Sequence, residues 1–79
     1  MINVLFFAGL AEKTGQHEVE IAGVDMTVND VIEQITKQFP AIEAELANSM
    51  IAVNEELVER TTIVKENDTV AFIPPVSGG

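Results

Sequence analysis

Thr69-Val70-Ala71-Phe72-Ile73-Pro74-Pro75-Val76-Ser77-Gly78-Gly79 closes the 79-residue sequence, and its reading decides how the rest is organised. Thr69 to Ile73 is a short run of β-branched, aromatic and small residues with the composition of a strand. Pro74-Pro75 stops it, because proline donates no ladder hydrogen bond and holds the backbone extended. Gly78 and Gly79 have no side chain to pack and lose much backbone entropy on ordering. The useful group at that end is therefore expected to be the terminal carboxylate. Four extended residues beyond Pro75 reach about 13 to 14 Å, enough to enter a pocket of another protein. The chain is expected to divide into a folded body, residues 1–75, and a flexible, extended tail, residues 76–79.

Working back from this stretch, Lys65-Glu66-Asn67-Asp68 reads as a polar turn in which Asn67 takes a left-handed conformation. Thr61 to Val64 reads equally as strand or loop. Met50-Ile51-Ala52-Val53 is a strand, Asn54-Glu55-Glu56 its turn and Leu57-Val58 the return. At the opposite end, residues 2–8 form an apolar run bounded by Gly9, the pattern of a buried strand. Both of its faces are apolar: Ile2, Val4 and Phe6 on one, Leu5 and Phe7 on the other. Phe7 is thus either covered by another part of the chain or belongs to an interface, and the small size of the chain favours the interface. Residues 9–16 read as a connection with Gly15 as a turn. His17-Glu18-Val19-Glu20-Ile21 alternates as a half-exposed strand should, and pairs with the first strand as a hairpin.

Thr27-Val28-Asn29-Asp30 offers an N-cap hydroxyl with an acid three residues later, and so resembles a capping box. Val28, Val31, Ile32, Ile35 and Phe39 then recur at helical spacing. Pro40 forces Phe39 out of helical geometry. Residues 41–47 add a short helical piece with Ile42 and Leu46 toward the core. The order is a hairpin, one main helix, then short strands ending in a strand. If the first and last strands lie side by side, the long helical crossover between them makes them parallel. That α+β arrangement, a mixed sheet packed on one main helix, is the β-grasp of ubiquitin-like proteins.

Composition narrows the function. A chain of 79 residues makes one domain, near the size at which a single core becomes marginal. Four Lys and Arg against thirteen Asp and Glu give a net charge of −9, which repels phosphate backbones and anionic lipid and draws a basic protein partner. Nucleic acid and membrane surfaces are therefore not expected as partners. With no cysteine in the sequence, disulfides, thiolate catalysis and sulfur-ligated metal are excluded. The N-terminus lacks the positive region of a signal peptide, and no apolar run has the length of a membrane span. The expected location is cytoplasmic.

The body offers little chemistry. His17 reads as a surface residue beside Glu18 and Glu20. Ser49 and Ser77 have no neighbouring base, and Glu43, Glu45, Glu55, Glu56 and Glu59 lack metal-binding spacing. No bound cofactor or metal is expected, and no Gly-rich phosphate loop is present. Reactivity is expected instead at Gly79. A terminal carboxylate, with a pKa near 3.3 to 3.7, is ionised and a poor electrophile at neutral pH. It needs activation, most simply by adenylation with ATP, before it accepts sulfur or an amine. Glycine at both closing positions keeps the attack trajectory and a narrow channel clear.

Val4-Leu5-Phe6-Phe7-Ala8, Ala52-Val53-Asn54 and the stretch from Asp68 to Gly79 together resemble the small, sulfur-carrier subunits of molybdopterin synthase, a ubiquitin-like family. The resemblance covers the whole chain, and Pro-Pro-Val-Ser-Gly-Gly is its specific part. It implies adenylation of Gly79 by an adenylyltransferase resembling the ubiquitin-activating enzymes, conversion to a thiocarboxylate, and insertion of the tail, slim at Gly78, into a large synthase subunit. Sulfur then passes to cyclic pyranopterin monophosphate, two deliveries building the dithiolene, within a heterotetramer of two large and two small subunits. Catalytic groups are implied on the large subunit. The sequence departs from the family pattern at Asn67, where Gly is frequent, and at Ile73, where Phe is frequent.

Alternation gives an interface expectation of its own. If Val70 and Phe72 face the helix, Ala71 and Ile73 face away, on the side of Leu5 and Phe7. Phe7, Leu57 and Ile73 are expected to form an exposed patch that docks the large subunit, with Pro74, Pro75 and Val76 leading from it. Three other readings stand beside this one: a sulfur carrier for thiamin thiazole synthesis, a ubiquitin-like modifier ligated to lysines through Gly79, and an acidic interaction module with an idle tail.

Overall fold

The computed structural model describes residues 1–75. The expected tail, residues 76–79, and with it the roles expected of Val76, Gly78 and Gly79, lie outside the described residues. In chain order the elements are β1 (Ile2–Phe6), α1 (Gly9–Thr14), β2 (Glu18–Ile21), β3 (Met26–Thr27) and α2 (Val28–Gln38). A 3-10 turn (Pro40–Ile42) then leads into α3 (Glu43–Ala47), β4 (Met50–Val53), β5 (Glu56–Leu57), β6 (Ile63–Val64) and β7 (Thr69–Ile73).

Five strands form one sheet in the order β2-β1-β7-β4-β5. β1 and β7 lie side by side and parallel, with Val4 opposite Val70 and Phe6 opposite Phe72, while every other pair in the sheet is antiparallel. This is the β-grasp read from strand order. Alternate residues of the central strands face α2: Ile2, Val4, Val70 and Phe72 are fully buried and Phe6 is nearly so. They meet Val28, Val31 and Ile35 of α2, and Leu10, Ile42 and Leu46 close the periphery of the same core. Phe39, at the end of α2, sets its ring edge-on to Phe6 with centroids 5.7 Å apart, a favoured aromatic geometry.

The start of α2 is secured at every free backbone donor of its first turn. Val28 donates to the Thr62 carbonyl and Asn29 to that of Arg60, each at 3.0 Å. Asp30 N–H donates to Thr27 Oγ1 at 3.2 Å, and Asp30 Oδ2 accepts from Thr27 N–H at 3.0 Å, completing the capping box. The small β3–β6 sheet, pairing Met26 with Val64 and Thr27 with Ile63, holds the two partners in place. The open reading of Thr61 to Val64 thus resolves into a two-residue strand.

Residues 9–16 correct the expectation of a plain connection. They contain α1, closed by Gly15 at φ 73°, whose N–H donates to the Ala11 carbonyl at 2.9 Å. Six residues are too few for an independently stable helix. Burial of Leu10 and Ala11 against the core holds this one, and Gly15 ends it as a left-handed cap. The first strand is also shorter than expected, ending at Phe6, because the chain turns at Ala8 into α1.

Candidate functional site

The sheet face turned away from α2 is not covered by any described element. The strand register sets Leu5 beside Ala71, Ala71 beside Ala52, and Ala52 beside Leu57, a row across four strands. Two alanines in the middle leave a shallow floor, and larger side chains stand at its margins. The result is a groove lined by Leu5, Phe7, Ala52, Leu57, Ala71 and Ile73, with Asn54, Glu55 and Thr69 at one end. Phe7 is 46% exposed, Leu57 65% and Ile73 37%. The three residues expected to form a patch are therefore brought together in one groove and left open to solvent.

The polar end of the groove is fixed by the β4–β5 turn. Asn54 and Glu55 both take positive φ, 50° and 72°, as a tight hairpin turn of the primed type requires. Asn54 is held on three sides: its N–H donates to the Thr69 carbonyl at 2.9 Å, its Oδ1 accepts from Thr69 N–H at 3.1 Å, and its Nδ2 donates to Asp68 Oδ1 at 3.0 Å. Asp68 Oδ2 also accepts from Lys65 N–H at 2.9 Å. The Asn54 amide, then the Lys65 N–H, hold the Asp68 carboxyl below its ordinary pKa, since both bonds favour the charged form. Asn67 takes φ 70° in the same turn, the left-handed conformation expected of it.

At the opposite end of the groove, β7 runs out through Ile73 into Pro74, half-buried, and Pro75, exposed. The two prolines line a notch with Ala8, Gly9, Leu10, Lys13 and Glu45. Lys13 Nζ donates to Glu45 Oε2, joining α1 to α3 beside the point where the chain leaves the sheet. That bond holds the Glu45 carboxyl below its ordinary pKa.

His17 is exposed, and its carbonyl accepts from Phe6 N–H at 2.9 Å. Ser49 is buried, but its hydroxyl donates to the Glu45 carbonyl at 2.7 Å, so it acts as a local backbone tie. Among the described residues no three His, Asp or Glu side chains converge to hold a metal ion, and no helix is long and apolar enough to cross a membrane. Alternation along β1 and β7 found Leu5, Phe7, Ala71 and Ile73. It missed Ala52 and the polar end formed by Asn54, Glu55 and Thr69, for which the available signal was the register of β4 on β7.

Comparison with known proteins places this geometry. The model of the ThiS family matches residues 4–79. The molybdopterin synthase sulfur carrier subunit of Escherichia coli is 37% identical, the match covering 100% of both chains. That of Mycobacterium tuberculosis is 33% identical over 99% of this chain and 96% of its own. Among solved structures, small archaeal modifier protein 1 from Methanosarcina acetivorans superposes with a TM-score of 0.86 at 26% identity, covering 99% of this chain and 95% of that one. A chain of the BexX/CysO complex from Amycolatopsis orientalis gives 0.82 at 27% identity, with 100% of both chains covered.

Proposed function

Because the chain belongs to the ThiS family, we propose that it is the sulfur-carrier subunit of molybdopterin synthase, the function named for its relatives from Escherichia coli and Mycobacterium tuberculosis. The observation that carries this reading is the open apolar groove that runs to Ile73, at the root of the segment leading to Gly79. The body is a docking handle, and the reacting group is the Gly79 carboxylate.

Held by an adenylyltransferase partner, that carboxylate attacks the α-phosphorus of ATP, forming an acyl adenylate as the bond to the β-phosphate breaks and pyrophosphate leaves. A sulfur donor then displaces AMP and leaves a thiocarboxylate. The large synthase subunit accepts the groove residues Phe7, Leu57 and Ile73, takes in Pro74, Pro75 and Val76, and threads Gly78 into its channel. Sulfur passes there to cyclic pyranopterin monophosphate, and water restores the carboxylate. Glycine at both closing positions keeps the acyl carbon open to attack. No cofactor is bound by this subunit, and catalytic side chains belong to the large subunit, in a heterotetramer located in the cytoplasm. The net charge of −9 suits basic partners, so association should slow as salt is added.

A second reading is favoured by the likeness to an archaeal modifier protein: the same activated end is passed to a lysine amine. Sulfur carriage in thiamin thiazole synthesis would use the same end again. Intact-mass measurement of protein isolated from cells separates these. Replacement of one terminal oxygen by sulfur supports a carrier, and a branched peptide at lysine supports a modifier. Reconstitution with the large synthase subunit then assigns the pathway. A terminal carboxylate unchanged after incubation with the activating partner, ATP and a sulfur donor would overturn the proposal.

A further inference from the structure

Cysteine is absent and methionine occurs three times, so the thioethers of Met1, Met26 and Met50 are all the sulfur in the encoded side chains. The structure separates the three. Met26 is half-buried against the core, and its sulfur sits so close to Gly23 that a Cβ there would collide with it. Met1 is exposed but lines a polar hollow with Gln16, Glu18 and Gln38, none of which belongs to the docking groove. Met50 is 53% exposed and stands directly opposite Ile73 across the β4–β7 ladder.

Side chains two apart on a strand share a face, so Met50 lies on the side of Ala52, which lines the groove. It also lines an adjoining hollow with Leu57, Val58 and Arg60. Leu57 borders both hollows. Apolar surface therefore runs from Ile73 onto Met50 and on to Leu57, and a partner seated on the first and last of these covers the residue between them. Methionine suits such a place, being unbranched, polarisable and able to fit an irregular partner surface. It is also the apolar side chain that oxidants convert to a polar one.

We infer that Met50 is an oxidant-responsive contact of the docking face: a peroxide converts its thioether to a sulfoxide, and the subunit so modified docks the large synthase subunit less tightly. This rests on the reading that the groove docks that subunit. The thioether sulfur attacks one oxygen of hydrogen peroxide; the S–O bond forms as the O–O bond breaks, and the proton of the transferred hydroxyl leaves with the departing hydroxide as water. Sulfur is oxidised and the peroxide reduced. The sulfoxide oxygen is hydrated in the free subunit and loses those hydrogen bonds against an apolar partner surface. Sulfoxide reductases restore the thioether, so the change is reversible.

The test treats the full chain, wild type and Met50→Leu, with hydrogen peroxide, removes the peroxide, and titrates each against untreated large subunit. Peptide mass measurement locates the sulfoxides, and each chain is compared with its own untreated sample. Treated wild type is expected to bind about tenfold more weakly, with its unfolding midpoint unchanged, and to recover after incubation with sulfoxide reductases of both epimer specificities. Treated Met50→Leu, in which Met1 and Met26 meet the same oxidant, should keep its untreated affinity. Equal weakening of the two chains, undiminished binding by wild type carrying the sulfoxide at Met50, a thioether at Met50 that survives while Met1 is converted, or a loss that tracks a lowered midpoint overturns the inference. Failure of untreated wild type to bind overturns the docking reading and the inference with it, a result distinct from normal untreated binding that peroxide leaves alone.

Discussion

The two faces of the central sheet are made from the same strands, and each carries a row of apolar residues. On the inner face Val4, Val70 and Phe72 have no exposure at all; on the outer face Phe7, Leu57 and Ile73 remain open. The difference lies in what the rest of the chain does with them. α2 brings Val28, Val31 and Ile35 to the inner face, and no described element crosses the outer one. A chain this short builds one core. Apolar residues placed in register on the uncovered face therefore serve something other than the stability of the monomer.

The contrast can be broken or sharpened by substitution, and the largest effect belongs to the covered face. Phe72→Ala should destabilise the domain by about 3–5 kcal/mol, read as a lowered urea midpoint; a loss under about 1 kcal/mol would mean that the inner face is not the principal core. One residue along, Ile73→Asp should leave the unfolding free energy within about 0.5 kcal/mol of wild type. It should weaken binding to the large synthase subunit by about thirtyfold, roughly 2 kcal/mol. Titration showing undiminished binding would detach the outer face from docking.

Smaller effects test how each face is held. Thr27→Ala removes the hydroxyl that caps the helix covering the inner face and should cost about 1 kcal/mol of stability; an unchanged unfolding midpoint would remove the cap from the account. Asp68 tests the polar end of the outer groove. Its folded-state pKa lies below the ordinary 3.8, so its contribution is present above that value and is lost as pH falls through the lower folded-state pKa. Urea unfolding followed down through this acid range should decline less steeply for Asp68→Asn than for wild type. Parallel curves would show that the Asn54 and Lys65 bonds do not favour the ionised form.

What could be read from the sequence depended on length and on repetition. Alternation over Ile2 to Phe6 and Thr69 to Ile73 is long enough to assign faces, so the side of the sheet that Phe7 and Ile73 occupy is legible in the sequence. The eleven residues of α2 carry three turns of apolar spacing, and Asp30 completes a capping box with Thr27 just before them. α1 has neither advantage. Its six residues give one contact stripe, Leu10 with Ala11 and Thr14, and Ala8 supplies no capping side chain. β3 and β6 are two residues each, below the length at which a period of two can be recognised. Their pairing follows from the three-dimensional closure around α2. Ala52 and Asn54 joined the site for the same reason, since their place in the groove depends on how β4 registers against β7. The positive φ of Ala8, 50°, carries no sequence signal, because alanine there reads as an ordinary small residue.

The strand made after all the other described strands is also the one that fills the gap between them. Until residues 69–73 leave the ribosome, β1 and β4 have no neighbour on the sides they will share with β7, and Val70 and Phe72 are missing from the interior. Closure of the domain is therefore a single late event that ties the two ends of the chain together, with the slow, non-local pairing such an event entails. Only a chain that has completed it holds Pro74 beside Ala8 and Lys13. Partial products and misfolded chains lack β7 in its place and cannot present the same surface there.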